Sequence, residues 1–197
     1  FDNNRVKYFV GDVRILEDCI KASNFTVNEF GHIDILVAAA GILRHHPIDE
    51  LTEKDWQDVI DINLTGVYHS AKAVVDVMKK QNYGRMVFIS SIGGRTGRPG
   101  VGVNYAAAKA GIVGMTQLLG YELGPWNITV NSVAPGPIKG GMFTTLSKEA
   151  VERLKAGARI PRLGELSEVA AAVAYLASNE AGWTTGEILD VNGGLQY

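Results

Sequence analysis

A tyrosine and a lysine four residues apart are the side chains of this sequence best suited to proton transfer. Tyr105 and Lys109 stand in the segment Asn-Tyr-Ala-Ala-Ala-Lys-Ala-Gly, whose alanines favour a helix. A spacing of four places both side chains on one helix face. A nearby ammonium and a helix N-terminus both favour the phenolate, so they lower a tyrosine pKa that is ordinarily near ~10. The pair predicts a tyrosine that exchanges a proton with a substrate oxygen.

A serine follows the apolar run at 85–90 and precedes the glycines at 93 and 94. If that run is a strand of an open α/β sheet, Ser91 lies at the edge where ligands bind, and its hydroxyl can polarise a substrate carbonyl. Two alternatives stay open: Ser91 only begins a turn, and Tyr105 and Lys109 are surface residues at helical spacing. A nucleophilic serine is disfavoured because no Gly-x-Ser-x-Gly motif surrounds Ser91.

The elements that must position these side chains alternate along the chain. Short runs rich in Val and Ile predict strands at 6–13, 33–40, 85–90, 128–134 and 187–191. Longer segments with helical spacing predict helices at 15–30, 52–80 with a break near Asn63, 105–123, 148–156 and 167–177. This alternation indicates an α/β doubly wound parallel sheet. Because no linker or repeat is visible, residues 1–197 are predicted to form one domain, with a substrate-loop or lid at 137–160.

Composition narrows the function classes. The 197 residues are 46% hydrophobic and 20% charged, with a net charge of -2 and no block of like charge. A nucleic-acid partner is therefore not expected, and apolar runs this short predict no membrane span. The single cysteine, Cys19, excludes an intrachain disulfide and favours a reducing compartment, the cytoplasm or an organelle matrix. His45 and His46 suggest no metal site, because adjacent side chains on an extended segment point apart.

Several ordered motifs together resemble the short-chain dehydrogenase/reductase family. Ser91, a glycine-rich loop and Tyr105-x-x-x-Lys109 follow one another as they do in that family. The run ending in Ala-Ala-Ala-Gly at Gly41, the Ile-Asn-Leu-Thr-Gly segment around Asn63, and Asn-Ser-Val-Ala-Pro-Gly ending at Gly136 are similar to further family motifs. The resemblance covers residues 6–195 and is strongest to 3-oxoacyl-(acyl-carrier-protein) reductases. Several motifs in consistent order are more specific than any one of them.

The resemblance implies a Rossmann-like fold and an NAD(P)-dependent oxidoreductase with four catalytic residues. Tyr105 would be the general acid/base, Lys109 would lower its pKa and bind ribose, and Ser91 would hold the substrate oxygen. Asn63 would open a helix so that a backbone carbonyl holds a water. The positions implied to bind NADP or NAD are Asp12, Val13, Ala39, Ala40, Gly41, Tyr105, Lys109, Pro135, Gly136 and Ile138. The resemblance also implies a homodimer or homotetramer formed through helices 65–80 and 105–123.

The implied substrate is a carbonyl/alcohol pair, first of all a 3-oxoacyl thioester. Gln81 and Tyr121 stand where family members have basic residues that dock the acidic carrier protein, so sugar, polyol or other small-alcohol dehydrogenases of the same family are the alternative.

Two departures from the family pattern leave a third alternative open. No glycine-rich phosphate turn precedes Asp12, so the first βαβ portion is expected to be absent from residues 1–197. Ala38 and Ala39 replace a pair of asparagines. Both favour a truncated, non-catalytic binding or scaffold chain as the further possibility. The residues that select NAD or NADP normally lie in the missing portion.

Overall fold

A parallel sheet carries the site. The computed structural model describes residues 5–98, 100–140 and 148–195. Within these ranges the strands are β1 Ile35–Ala38, β2 Gly84–Ile89, β3 Ile128–Pro135 and β4 Ile188–Val191. They pair in the order β1-β2-β3-β4, and every pair is parallel. Four of the five predicted strands are therefore confirmed, with ends that differ by one or two residues.

The fifth predicted strand, at 6–13, is wrong. Tyr8 and Val10 are 88% and 87% exposed, and in the described part of the chain β1 pairs with β2 alone. A strand is stable only where a neighbour satisfies its backbone N–H and C=O groups. Without that neighbour the apolar run stays irregular, and it is held by local contacts such as the packing of the Phe9 ring against Phe25 at 5.8 Å between ring centroids.

The predicted helices are all present, and the structure adds one short helix, at Ile92–Arg95, that the sequence pattern does not predict. The helices are α1 Leu16–Phe30, α2 Glu53–Ile60, α3 Gly66–Gln81, α4 Ile92–Arg95, α5 Val103–Leu123, α6 Lys148–Gly157 and α7 Leu166–Leu176. The predicted break near Asn63 is a π-helix, Asp61–Thr65, which joins α2 to α3. Thr52 is the N-cap of α2, where its hydroxyl oxygen accepts a hydrogen bond from the Asp55 N–H at 3.1 Å. Short 3-10 turns follow α5 and α7, at Gly124–Trp126 and Asn179–Ala181.

Both faces of the sheet are covered, as a parallel sheet requires. On one face, a stripe on α3 at helical spacing packs with α5 residues against β2 and β3; its members are Val67, Ala71, Val74 and Met78. On the other face, Val87 and Val133 pack against Leu176 of α7. This layering holds the carboxyl ends of the strands at one edge, where the site lies.

The predicted lid at 137–160 is described only in part. Its helix, α6, is present where the sequence predicts it, whereas residues 141–147 lie outside the described residues. Its role as a lid and the assignment of 1–197 to one domain stay predictions. Across the described ranges, no helix combines the length and apolar character needed to cross a membrane.

Candidate active site

The segments that follow the strands meet at one edge of the sheet. Gly41 lies shortly after β1, Ser91 follows β2, and Gly136 follows β3. Gly136 donates its N–H to the Val191 carbonyl at 2.9 Å, and a Cβ added to Gly136 would lie 2.8 Å from the Asn192 Cα. Only glycine permits the backbone at 136 to come so close to the backbone at 192. The segments that follow β3 and β4 therefore pack directly against each other at this edge.

The side chains of Ser91 and Tyr105 lie next to each other, near enough for the Ser91 hydroxyl to affect the pKa of the Tyr105 phenol. Ser91 also begins α4, where its hydroxyl oxygen accepts from the Gly93 N–H at 3.0 Å. Helix α4 packs directly against α5. The backbones are so close that a Cβ on Gly94 would lie only 2.4 Å from the backbone carbonyl carbon of Lys109. The bare glycine thus lets the serine turn approach the helix that carries the tyrosine.

Lys109 lies beside this pair. Its Nζ is 5.6 Å from the centroid of the Tyr105 ring and donates to the Ile89 carbonyl at 2.6 Å. The side chain is almost fully buried, and burial lowers the pKa of Lys109 to about 8. An ammonium removed from water loses hydration that this single carbonyl replaces only in part.

The pKa of Tyr105 lies above its ordinary value. Burial raises it, and the neighbouring Ser91 hydroxyl acts in the opposite direction because it favours the phenolate. The sequence predicts a lowered pKa, from Lys109 and from the helix N-terminus, and in this structure that prediction is wrong. Desolvation of the phenolate outweighs the contacts that favour it, and the hydrogen bond of Lys109 goes to the Ile89 carbonyl and not to the Tyr105 hydroxyl.

Asn63 is fully buried in the π-helix. Its Oδ1 accepts from the Ile42 N–H, and its Nδ2 donates to the Ile42 carbonyl, both at 2.8 Å. A Cβ on Gly41 would lie 3.5 Å from the Asn63 Oδ1 and 3.7 Å from the Lys109 Nζ. The structure therefore brings Asn63, Lys109 and Gly41 together, and it shows an amide clamp on the loop after β1 that the sequence does not reveal. The water-holding role of Asn63 stays a prediction.

The positions expected to bind the dinucleotide lie along the same edge. Ala39 and Ala40 are exposed after β1, Gly41 is half-buried, and Pro135 and Ile138 are half-buried at the end of β3. The space at Gly41 is bordered by the polar atoms of Asn63 and Lys109. The backbone of Gly41, which carries no side chain, lies next to the Asn63 amide and the Lys109 ammonium. This arrangement fits the ribose and nicotinamide end of a dinucleotide.

Asp12 and Val13, the positions that the resemblance implies for the adenine end, are held by contacts with nearby side chains. Arg14 donates to both carboxylate oxygens of Asp12, at 3.0 and 2.9 Å from Nε, and these bonds lower the pKa of Asp12. The Val13 carbonyl lies 3.0 Å from Nδ1 of His69. Asp12 and Val13 thus lie just before α1, with the Asp12 side chain paired to Arg14, and their contact with a dinucleotide stays a prediction.

Two positioning residues are missing from the sequence-based set. Ser90 is buried and donates to the Lys109 carbonyl at 3.0 Å, and Gly94 permits the close approach of α4 to α5. Both fix the backbone at Lys109. The only sequence feature that could have indicated these two residues is the Ser-Ser-x-Gly-Gly run at 90–94. By itself this run is typical of an ordinary turn, and its role is visible only once α5 is seen to pack against it.

A cavity of about 280 Å³ adjoins the ends of β3 and β4, and Ser91, Tyr105 and Lys109 do not line it. Its apolar lining includes Ile138 and Leu154, and Asp190 lies in its wall. Asp190 Oδ2 is 3.5 Å from Arg95 Nη2 of α4. This ion pair connects the cavity wall to the helix that Ser91 begins.

Comparison with known proteins agrees with this arrangement. The family model described as enoyl-(acyl carrier protein) reductase matches residues 2–196. The chain is 46% identical over 168 residues to 3-oxoacyl-(acyl-carrier-protein) reductase FabG of Haemophilus influenzae, a match that covers 85% of this chain and 69% of that protein.

Two solved structures are similar in fold. A 3-oxoacyl-(acyl-carrier protein) reductase from Brucella melitensis matches with a TM-score of 0.87 and 34% identity, covering 94% of this chain and 70% of that one. A protein provisionally described as a gluconate dehydrogenase from Agrobacterium tumefaciens matches with a TM-score of 0.89 and 31% identity, covering 94% and 74%. The chain therefore belongs to the short-chain dehydrogenase/reductase family of NAD(P)-dependent oxidoreductases.

Proposed function

We propose that the protein reduces the 3-oxo group of an acyl thioester to a secondary alcohol, with NADPH or NADH as the hydride donor. The observation that carries the proposal is the placing of Ser91 and Tyr105 side by side, next to the buried Lys109. The substrate class is supported by the similarity to the reductases of H. influenzae and B. melitensis.

The cofactor, when bound, supplies the hydride. The residues of this chain that would hold it are Gly41, Lys109 and the turn after β3 at Gly136 and Ile138, with Ala39, Ala40, Pro135, Asp12 and Val13 as further contacts. Lys109, whose Nζ donates to the Ile89 carbonyl in this structure, would donate to the ribose hydroxyls of the bound cofactor.

Tyr105 donates the proton to the substrate oxygen as negative charge develops there. Because burial raises the pKa of Tyr105, the free protein keeps the phenol protonated at neutral pH, which is the form needed for reduction. Ser91 supplies a second hydrogen bond to the same oxygen and stabilises that charge.

Lys109 and Asn63 support the tyrosine after proton transfer. The Lys109 ammonium, 5.6 Å from the ring, stabilises the phenolate. With a pKa of about 8, Lys109 exchanges its proton readily near neutral pH. Asn63 holds the loop at Ile42 through two bonds and keeps the π-helix in place beside the lysine.

A second candidate is the oxidation or reduction of a small sugar acid or polyol. The similarity to the A. tumefaciens structure favours it. So does Gln81, whose amide is occupied by the Ile33 N–H at 3.0 Å and the Ile33 carbonyl at 2.8 Å. Family members have a basic residue at this position that binds the acidic carrier protein. Gln81 carries no positive charge, and its amide is already hydrogen-bonded to Ile33, so it does not provide that interaction.

Steady-state assays of the natural gene product distinguish these functions. NADPH and NADH are each supplied with acetoacetyl-CoA or with a keto-gluconate, and dinucleotide binding is measured by calorimetry. We expect turnover of acetoacetyl-CoA that Tyr105→Phe abolishes and that Tyr121→Phe, on the exposed face of α5, retains. Turnover of the keto-gluconate alone would favour the second candidate. Absence of both turnover and dinucleotide binding would indicate the non-catalytic scaffold chain.

We also propose that two or four copies associate through α3 and α5. Large apolar side chains lie exposed on these helices, namely Tyr68, Leu118 and Tyr121. Exposed apolar residues on neighbouring helices are typical of a surface covered by another copy. Sedimentation velocity of the wild type and of Leu118→Glu tests this: the charge is expected to shift the assembly toward monomer.

A further inference from the structure

Asn104 directly precedes the proposed proton donor and is fully buried. It is the second residue of α5, where the first N–H groups of a helix have no partner within the helix. Gly102, at the N-cap, has no side chain to satisfy them. Instead, the Tyr105 N–H donates to Asn104 Oδ1 at 2.8 Å. The amide oxygen of Asn104 therefore fixes the backbone of the tyrosine itself.

The amide nitrogen of Asn104 reaches another element. Its Nδ2 donates to the Asp55 carbonyl at 3.0 Å. Asp55 lies in the first turn of α2, the helix that continues into the π-helix of Asn63. One buried amide thus links the start of the tyrosine helix to the helix that leads to Asn63.

The space around this amide admits few substitutes. A Cβ on Gly102 would lie 2.5 Å from Asn104 Oδ1 and 2.8 Å from the Arg44 carbonyl, so the chain is closely packed on that side. An amide offers a donor and an acceptor on two separate atoms. A carboxylate only accepts, and an apolar side chain leaves the Tyr105 N–H and the Asp55 carbonyl without these bonds.

We infer that Asn104 is a positioning residue for the reaction: through its two bonds it sets the place of the Tyr105 phenol relative to Ser91. This inference rests on the proposed function in one respect, that Tyr105 is the proton donor. Asn104 contacts neither substrate nor cofactor in this role, and it acts through the tyrosine backbone. Misplacement of a reacting group by about 1 Å costs on the order of 100-fold in rate.

The test compares Asn104→Ala and Asn104→Asp with Gln81→Ala. Gln81 is a matched control, because its amide also accepts from and donates to backbone groups, in its case those of Ile33, and it lies at the end of α3. Each protein is measured by steady-state kinetics and by NMR titration of tyrosine labelled with ¹³C at Cζ. The Tyr105 signal is identified as the one missing from Tyr105→Phe.

For Asn104→Ala we expect kcat to fall about 10- to 100-fold, with a KM change of less than about threefold. The Tyr105 pKa should move down toward its ordinary value, because a displaced phenol gains contact with water. Asn104→Asp keeps the bond to the Tyr105 N–H and loses the donor to Asp55, so it should lose kcat to a smaller extent. Gln81→Ala should leave both kcat and the Tyr105 titration unchanged.

An Asn104→Ala protein with the wild-type kcat and the wild-type Tyr105 titration would overturn the inference, whatever its melting temperature. If Asn104→Ala does not fold, kcat and the Tyr105 titration of Asn104→Asp are compared with those of the wild type, and wild-type values for both would overturn the inference. If the wild type shows no reductase activity, the proposed function fails, but the NMR titration still decides the positioning role: an unchanged Tyr105 signal overturns it and a displaced one supports it.

Discussion

The Nζ of Lys109 lies 5.6 Å from the centroid of the Tyr105 ring, while its hydrogen bond goes to the Ile89 carbonyl at 2.6 Å. The lysine and the tyrosine are thus neighbours without a direct bond in this structure. Burial lowers the pKa of Lys109 and raises that of Tyr105, so both groups favour their neutral forms. The proposed chemistry begins from a protonated phenol beside a lysine that titrates close to physiological pH.

The titration of Lys109 makes stability depend on pH. Its pKa is about 8 in the folded state and 10.5 as the ordinary value, so the unfolded chain binds more protons between these limits. Stability from this group therefore rises with pH through that window. We expect the free energy of unfolding of the wild type, relative to Lys109→Met, to rise by about 1–2 kcal/mol from pH 7 to pH 9.5. Urea unfolding at several pH values measures it; a difference independent of pH would contradict the lowered pKa.

Ser91→Ala removes the proposed hydrogen bond to the substrate oxygen and the cap of α4. We expect kcat to fall about 100- to 1,000-fold, as for loss of one oxyanion donor, and stability to fall by about 1 kcal/mol through the lost cap. Ser167→Ala, at an exposed position in α7, is the control and should change neither. Wild-type kcat in Ser91→Ala would exclude the assigned role.

The contact between α4 and α5 predicts opposite effects for two glycines. Gly94→Ala would place a Cβ 2.4 Å from the Lys109 backbone, so we expect a loss of about 1–3 kcal/mol from overpacking and reduced activity through displaced Ser91. Gly114 lies in the same α5, and beyond its own helix turn no described atom lies within 4 Å of a Cβ added there. Gly114→Ala should stabilise the protein by about 0.5–1 kcal/mol, since alanine favours a helix. Thermal unfolding of both variants measures the contrast, and equal effects would contradict it.

Asn63→Ala removes both bonds to Ile42 and leaves the half-buried N–H and carbonyl of Ile42 without them. We expect a loss of about 2–4 kcal/mol in the free energy of unfolding and faster hydrogen exchange at the Ile42 N–H. Gln57→Ala, exposed in α2, should stay within about 0.5 kcal/mol of the wild type. Protection of the Ile42 N–H that survives in Asn63→Ala would show that this amide does not hold the loop.

The sequence determined the alternation of strands and helices, because the periods of apolar residues follow from local geometry. It also determined the order of Asn63, Ser91, Tyr105 and Lys109, and with it the family. The break near Asn63 was visible from the residue type alone. These features depend on neighbours along the chain, which the sequence contains directly.

Tertiary structure decided the rest. The apolar run at 6–13 is not a strand, because pairing depends on a neighbouring strand and not on its own residues. The directions of the pKa shifts at Tyr105 and Lys109 depend on burial by distant segments, which outweighs the local spacing that predicts a phenolate. The partners of Asn63, Gly94 and Asn104 lie on other elements. Contacts between segments far apart in the chain arise only when the sheet and its helices pack, so no local pattern of residue types specifies them.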